Sequence, residues 1–320
     1  MTWLAWRQHR VTFAAVLGLF VAVATLLFVS GQSMHRTYDE LGFSNCLPPA
    51  HSSCPTLALG LPDSFRNVST WLLPFLLVPG LIGAFWGGPL VARELEHGTH
   101  RLVWTQSISR HRWLLVKVAV MALATIAGLT ALTVLLAWWS APAASAYGNS
   151  RLDPLRFDLL GIAPVAYGLA ALALGISAGT LSRKVVPAIA LTLLALAVVR
   201  VGVEVGLRPH FMAPETTVTS PFIGQPDDVG GWVLDQRIVA ADGRTLDATF
   251  RPTEAGCGGT TAMRFDARMA EACAPGVKLE TRHHPDDRYW RFQLTEAALY
   301  LMLAAALVSL SAWWIRHRVA

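Results

Sequence analysis

The chain has 320 residues, of which 53% are hydrophobic and only 15% are charged. A soluble domain carries roughly 25% charged residues, so this composition excludes an ordinary water-soluble globular protein. The formal net charge of +5 is spread over many short segments rather than one long basic patch, which disfavours nucleic-acid binding.

The hydrophobic residues collect in six runs of about 20 residues or more, the length needed to cross a hydrocarbon core of about 30 Å. The runs lie at 11–30, 71–92, 113–139, 158–181, 185–206 and 292–315. We therefore predict an all-α polytopic membrane protein with six transmembrane helices. Five of them fall within 11–206, and a small extracytoplasmic domain at 207–291, with some β structure, precedes the sixth.

The N-terminal segment 1–10 is predicted to form an amphipathic helix in the membrane interface, because Trp3 and Trp6 stand beside Arg7 and Arg10. A basic flank without a helix of its own would show the same pattern, so both interpretations stay open from the sequence.

A cleaved signal peptide is the alternative interpretation of the first run, 11–30. Its apolar stretch exceeds the roughly 7–15 residues of such peptides, and Ser30 and Gly31 make a poor cleavage site. We interpret it as a permanent span.

The second run is interrupted by Pro74, Pro79 and Pro89 and is rich in glycine. Proline removes a helix hydrogen bond and glycine lets another backbone approach, so we predict a bent, closely packed helix. Further glycines recur at spacings of four and seven in the fourth and fifth spans, at Gly161, Gly168, Gly175, Gly179, Gly202 and Gly206. Packing within one chain and a dimer face would both use such a stripe.

Two ionisable groups fall within the fifth run. Arg200 and Glu204 are four residues apart, so on a regular helix they share a face and can pair. Glu296 lies near the start of the sixth run. These three residues either line a substrate exit or form a structural ion pair, and the sequence favours neither interpretation.

The 207–291 segment has turn signals and alternating runs. The runs at 232–240 and 245–250 flank the Asp242-Gly243 pair, which predicts a β-hairpin. The neighbouring His283 and His284 are interpreted as part of a solvated loop, because adjacent imidazoles do not easily converge on one metal ion.

All four cysteines fall in segments that this topology places outside the cytoplasm. An oxidising exterior permits disulfides, and Cys46–Cys54 and Cys257–Cys273 are the pairings that stay within one loop. Free thiols are the alternative. A zinc site is disfavoured because the spacings match no common ligand pattern.

The orientation follows from lysine and arginine in the short segments at the span ends. The segments assigned to the cytoplasm carry Arg7 and Arg10, then Arg93, Arg101, Arg110, Arg112 and Lys117, then Arg183 and Lys184, and last Arg316 and Arg318. The positive-inside rule therefore places both termini, including the tail 316–320, in the cytoplasm.

The sequence contains no GxxxxGK[ST], GxSxG or HExxH pattern. We therefore expect no catalytic residue, no metal and no cofactor in this chain, and we expect any ATP and Mg²⁺ to be bound by a partner.

The segment 89–117, PLVARELEHGTHRLVWTQSISRHRWLLVK, resembles the region between spans two and three in the membrane-spanning permease subunits of type-2 ABC exporters. The matching positions with polar or turn chemistry are Arg93, Glu94, Glu96, Gly98, Thr99, Arg110 and Arg112. In that family the region forms a coupling helix that docks on the ATPase, which would place coupling at 93–112. Segment 1–10 is similar to the family's elbow helix.

The resemblance implies a permease subunit of an ATP-driven exporter in the plasma or inner membrane of a bacterium. Its partners would be two copies of an ABC ATP-binding subunit, and a second copy of itself or a paralogous permease. One rival is a membrane sensor or immunity protein acting through the extracytoplasmic domain. An intramembrane enzyme is disfavoured because no span carries a catalytic set.

Glu94 and Glu96 are the only acids predicted on the cytoplasmic side. They are therefore the expected partners of basic residues on an ATPase, although either could instead cap or brace the local helix. A basic loop that only sets the topology is the plainer alternative.

Overall fold

The computed structural model describes residues 2–43, 62–98, 110–219, 230–240, 243–246 and 278–318. Within these residues, six helical stretches are long and apolar enough to cross a membrane, as predicted. They are Gly18–Glu40, Val68–Glu96, Arg112–Tyr147, Ala163–Ser182, Val185–His210 and Asp286–His317. Cys46, Cys54, Cys257, Cys273 and Thr99 lie outside the described residues, so the disulfide pairings stay predictions.

The α-helices are numbered here in chain order. They are α1 (Thr2–Glu40), α2 (Asp63–Arg66), α3 (Val68–Leu72), α4 (Val78–Ile82), α5 (Gly88–Glu96), α6 (Arg110–Tyr147), α7 (Pro154–Leu159), α8 (Ala163–Ser182), α9 (Val185–Val201) and α10 (Tyr289–Arg318). Helix α1 shows one difference from expectation. Residues 2–10 are helical but continue into the span without a break, since no proline or glycine separates them from it.

The second span is irregular, as its prolines predict. A 3₁₀ segment at Leu73–Leu77 follows α3, and a π segment at Gly83–Gly87 separates α4 from α5. Pro74 and Pro79 stand in the first turns of their segments, where no intrahelical N–H is needed. The span therefore departs from the α-helical pitch twice before its charged end.

The fourth span, α8, is the central helix of its unit. In its most apolar stretch 78% of the residues are buried, against 17% in the span that starts at Val185. Its start differs from the predicted 158, because the chain turns at Gly161, whose φ of +83° interrupts the helix between α7 and α8.

Glycines let the second and fourth spans touch backbone to backbone. A Cβ at Gly87 would come within 2.6 Å of the Leu172 carbonyl oxygen, and one at Gly179 within 2.5 Å of the Gly88 oxygen. Gly175 faces Gly83 in the same way. Packing within one chain thus explains these glycines, whereas a Cβ at Gly202 or Gly206 would meet no described atom within 4 Å.

The first and third spans contact each other beside a proline of the third span. Pro142, inside α6, has no N–H to offer the carbonyl of Trp138 four residues earlier. His35 of α1 donates to this carbonyl instead, with its Nε2 3.1 Å from the Trp138 oxygen. The imidazole also stacks on the Trp138 indole, with 4.9 Å between the ring centres. Nearby, Trp139 Nε1 donates to Ser30 Oγ at 3.0 Å.

The chain divides into two compact units. The larger contains residues 1–147, 158–197 and 296–320, and the smaller contains 148–157 and 198–295. The smaller unit holds a sheet of four antiparallel strands, which are β1 (Glu215–Thr219), β2 (Gly231–Val239), β3 (Thr245–Leu246) and β4 (Lys278–Pro285). In the sheet they lie in the order β1-β4-β2-β3.

The predicted hairpin is confirmed. Strands β2 and β3 pair antiparallel, and Gly243, with φ of +82°, donates its N–H to Ala240 in the turn. The loop predicted for His283 and His284 is wrong. Both residues lie in β4 and are buried, because successive strand residues face opposite sides and each side is covered.

Candidate functional site

One end of the larger unit carries the charged residues that the sequence assigned to coupling. Helix α5 ends at Glu96, and Gly98 follows it with a φ of +69°, the left-handed conformation that closes many helices. His97 also closes this end, since its N–H donates to the Arg93 carbonyl at 3.2 Å. This segment, Arg93–Gly98, is named the α5 end below.

The α5 end is tied to two other spans by its two carboxylates. Glu94 pairs with Lys117 of α6, and both side chains are about one quarter exposed. Glu96 Oε2 accepts from the backbone N–H of Val185 at 3.0 Å. That N–H is the first of α9, so the carboxylate caps a helix N-terminus, where negative charge is favourable.

The turn between α8 and α9 explains how Val185 reaches Glu96. Arg183 has a φ of +55° and donates its N–H to the Gly179 carbonyl at 3.1 Å, which ends α8. Only Arg183 and Lys184 separate the two helices. The N-terminus of α9 is therefore held beside the α5 end.

A buried apolar cluster lies beneath these charges. Its buried members come from the second, third, fourth and sixth spans, namely Val91, Trp113, Leu114, Leu172, Ile176 and Ile315. Leu95 of the α5 end packs against it, and Lys117 Nζ lies 4.4 Å from the Trp113 ring centre. A displacement of the α5 end would therefore be transmitted through this cluster to several spans.

The remaining predicted coupling residues are placed as follows. Arg93 is exposed, and its side chain makes no hydrogen bond or ion pair with any residue that the structure describes. Arg112 is exposed at the start of α6. Arg110 begins that helix, and its side chain is outside the described part.

The predicted polar residues of the fifth and sixth spans do not form one group. Within the described residues Glu204 makes no hydrogen bond or ion pair, so it does not pair with Arg200. The reason is a π segment at Gly202–Leu207, whose wider turn removes the four-residue register. Glu204 instead lines a cleft of the smaller unit.

Glu296 belongs to a buried polar cluster in the larger unit. The Tyr167 hydroxyl donates to Glu296 Oε1 at 2.6 Å, and the hydroxyl oxygen of Tyr167 also lies 3.4 Å from Asp158 Oδ1. Glu296 is fully buried, Asp158 is 6% exposed, and the Tyr300 ring packs edge-on against Tyr167. The cluster thus fixes α8 against α10 inside the larger unit.

Sequence reasoning missed Lys117 as a partner of Glu94, and it missed Tyr167, Asp158 and the Val185 amide. Tyr167 and Asp158 could have been found, because polar residues within an apolar run need partners. The Glu96–Val185 contact joins two spans far apart in the chain, and no local pattern signals it.

Six membrane-capable helices and a charged end that joins three spans define a polytopic α-helical membrane protein. The chain matches the family described as ABC-2 membrane transporter related over residues 17–208, more than half of its length. It therefore belongs to that family and is an ABC-2 type permease. Comparison with curated proteins and with solved structures finds no match.

The family match confirms the resemblance seen in 89–117 and supports a general role as a multi-pass transporter permease. Membership also implies an ABC ATP-binding partner in general. The matched range ends at residue 208, so the sheet and the sixth span lie beyond it. No group of three or more metal-ligating side chains occurs among the described residues.

Proposed function

We propose that this chain is the transmembrane subunit of an ATP-driven exporter, with both termini in the cytoplasm. It would form the translocation pathway together with a second copy or a paralogous permease, and separate subunits would bind ATP and Mg²⁺. Family membership supports the permease role, and the lysine and arginine of the segment between the second and third spans, 93–117, support the orientation.

The observation that carries the coupling proposal is the pair of contacts made by the α5 end. Glu94 reaches α6 through Lys117, and Glu96 reaches the first amide of α9. An ATPase that pushes on this segment would therefore act on the second, third and fifth spans together. Such a connection to several spans is needed if ATP hydrolysis in another subunit is to change the conformation of this chain.

These contacts change the role proposed for the two acids. Because both are engaged within the chain, Glu94 and Glu96 transmit force, and exposed Arg93 is the docking residue. Arginine pairs well with carboxylates in a fork geometry, so the ATPase surface should present acidic residues here.

The test is copurification of the full chain with its P-loop ATPase, followed by measurement of ATP hydrolysis and transport. We expect Arg93→Glu to release the ATPase while expression stays normal, since no described residue depends on the Arg93 side chain. Arg316→Glu is the matched control, because Arg316 is also exposed and basic but lies on α10.

The charge reversal of Glu94 and Glu96 to lysine has a different expected outcome. A lysine at position 94 would face Lys117, and one at 96 would oppose the α9 dipole, so coupling should fail even where the ATPase stays bound. If the unmodified chain copurifies with no ATPase, the exporter proposal is wrong and a sensor role through the smaller unit is favoured.

A further inference from the structure

The smaller unit contains a cleft of about 660 Å³. It is lined by the start of α7 at Pro154, the end of the fifth span, the connection to β1, and strands β2 and β4. Its lining includes Glu204, Val205, Met212, Trp232, Asp235 and Arg282. The volume lies within the range of roughly 300–1,000 Å³ that is common for small-ligand sites. We name it the interfacial cleft.

The cleft carries available charges of both signs. Glu204 is half-buried and Arg282 is exposed, and neither makes an ion pair or hydrogen bond with any residue the structure describes. Asp235 differs, because its Oδ2 accepts from Arg237 Nε at 2.7 Å. Among the described residues, this carboxylate and this guanidinium have no partner, and their opposite charges match those of a zwitterionic ligand.

The lining of the cleft includes the end of a candidate membrane span. Glu204 and Val205 belong to the last turns of the candidate span Val185–His210. Val205 is 70% exposed and Leu207 is 47% exposed, as expected for side chains that face lipid. A ligand could therefore enter with its polar part in the cleft and its apolar part in the bilayer.

We propose that the interfacial cleft binds the headgroup of a zwitterionic phospholipid that ends in a primary ammonium. The ammonium would donate hydrogen bonds to Glu204, and the phosphate would accept from Arg282, whose planar fork suits phosphate oxygens. Val205, Met212 and the Trp232 indole would contact the glycerol and upper acyl region. This site is independent of the exporter proposal.

The same chemistry argues against other headgroups. An anionic lipid without an ammonium would leave Glu204 unpaired and would be repelled by Glu204 and Asp235. A quaternary ammonium carries no N–H, so it cannot donate to the carboxylate. The cleft should therefore prefer phosphatidylethanolamine over phosphatidylglycerol and phosphatidylcholine.

The test is native mass spectrometry of the full chain in detergent, titrated with dioleoyl lipids of these three classes. For the unmodified chain we expect phosphatidylethanolamine to bind about fivefold more tightly than either of the others, the effect of one charged hydrogen bond in a partly exposed site. Equal binding of the three lipids overturns the proposal without any variant.

Variants then locate the site. Glu204→Gln should remove most of the preference, because only the ammonium distinguishes the three headgroups. Arg282→Gln should instead weaken the binding of all three lipids, since each carries the phosphate, and Arg282→Lys should keep part of that affinity. Asp287→Asn and Lys278→Gln are the matched controls, because both residues are exposed and lie outside the cleft. Unchanged selectivity in Glu204→Gln, or unchanged affinity for all three lipids in Arg282→Gln, overturns the assignment.

A last arm separates a lipid from a soluble zwitterion. Glycerophosphoethanolamine has the same headgroup and no acyl chains. If it competes as strongly as the lipid, the cleft takes a free zwitterion and the lipid proposal is wrong. Weak competition supports entry from the membrane.

Discussion

The Tyr167 hydroxyl shows how one polar atom can fix two spans. It donates to the buried Glu296 carboxylate at 2.6 Å, in surroundings that contain little water. Interhelical hydrogen bonds in membranes contribute about 0.6 kcal/mol on average and up to about 1.7 kcal/mol. This bond should lie at the upper end, because its acceptor is an acid.

We therefore expect Tyr167→Phe to lower the free energy of unfolding by about 1–2 kcal/mol in detergent, since the ring stays and only the donor is lost. Tyr147→Phe is the control. The Tyr147 hydroxyl is buried and has no partner among the described residues, so its loss should cost nothing. Equal melting temperatures for both variants would contradict the role given to Tyr167.

His284 should make the smaller unit sensitive to acid. Its Nε2 donates to the Pro209 carbonyl at 3.1 Å, and its buried Nδ1 has no partner among the described residues. Burial lowers the pKa of His284 below its usual value, and the charges of Arg288 and His283 act in the same direction. The Pro209 bond and Glu215 act against it.

Because the pKa of His284 is lower in the folded state, the unfolded state binds more protons in acid. Stability should therefore be full above the unfolded pKa of about 6.5 and should fall as the pH drops below it. Hydrogen exchange of the β4 peptide between pH 7.5 and 5.5 measures this loss. His284→Gln, which keeps an N–H donor but does not titrate, should flatten the pH dependence.

At the scale of elements, the sequence predicted all six spans but only some of their local irregularities. Run length and hydropathy located six spans, and the prolines of the second span signalled its interruptions. The π segment at Gly202–Leu207 was not predicted, and it is what separates Glu204 from Arg200. Such segments depend on tertiary packing, so no periodicity in the sequence marks them.

The sheet was predicted only in part for a related reason. The β2–β3 hairpin has a local turn signal at Gly243, whereas β1 and β4 pair across more than 55 residues of sequence. Burial of His283 and His284 follows from that long-range pairing. The Glu96 cap on α9 likewise depends on where two distant spans meet.

The contact between the second and fourth spans gives a test at this scale. Gly175→Ala should destabilise the protein by about 1–3 kcal/mol, because the new methyl group would meet the backbone at Gly83 and Gly88. A Cβ at Gly128, in the third span, would meet no described atom within 4 Å, so Gly128→Ala should be neutral or slightly stabilising. Thermal unfolding of the two variants compares them directly.

The join between α1 and α6 predicts an energetic coupling. His35→Ala should destabilise the wild-type chain, since it leaves the Trp138 carbonyl without its donor. In a Pro142→Ala background residue 142 regains an N–H that can reach this carbonyl, so the same change should cost less. A double-mutant cycle measures the difference, and additive effects would refute the explanation.

At the scale of the whole molecule, the proposed function depends on the direction in which the spans cross the membrane. The lysine and arginine of segment 93–117 and of the α8–α9 turn predict that these segments face the cytoplasm. Ser182 ends α8 beside that turn, and Ser150 lies in the segment between α6 and α7. The two positions are therefore expected on opposite sides of the membrane.

In a chain whose four native cysteines are replaced by serine, a cysteine at Ser182 should be shielded from a membrane-impermeant thiol reagent in intact cells. A cysteine at Ser150 should react, and both should react once the membrane is permeabilised, which controls for burial. Normal expression of the cysteine-free parent is required first. Because Ser182 adjoins the Glu96–Val185 contact, the reversed pattern would place the α5 end outside the cell, where no ATPase could reach it.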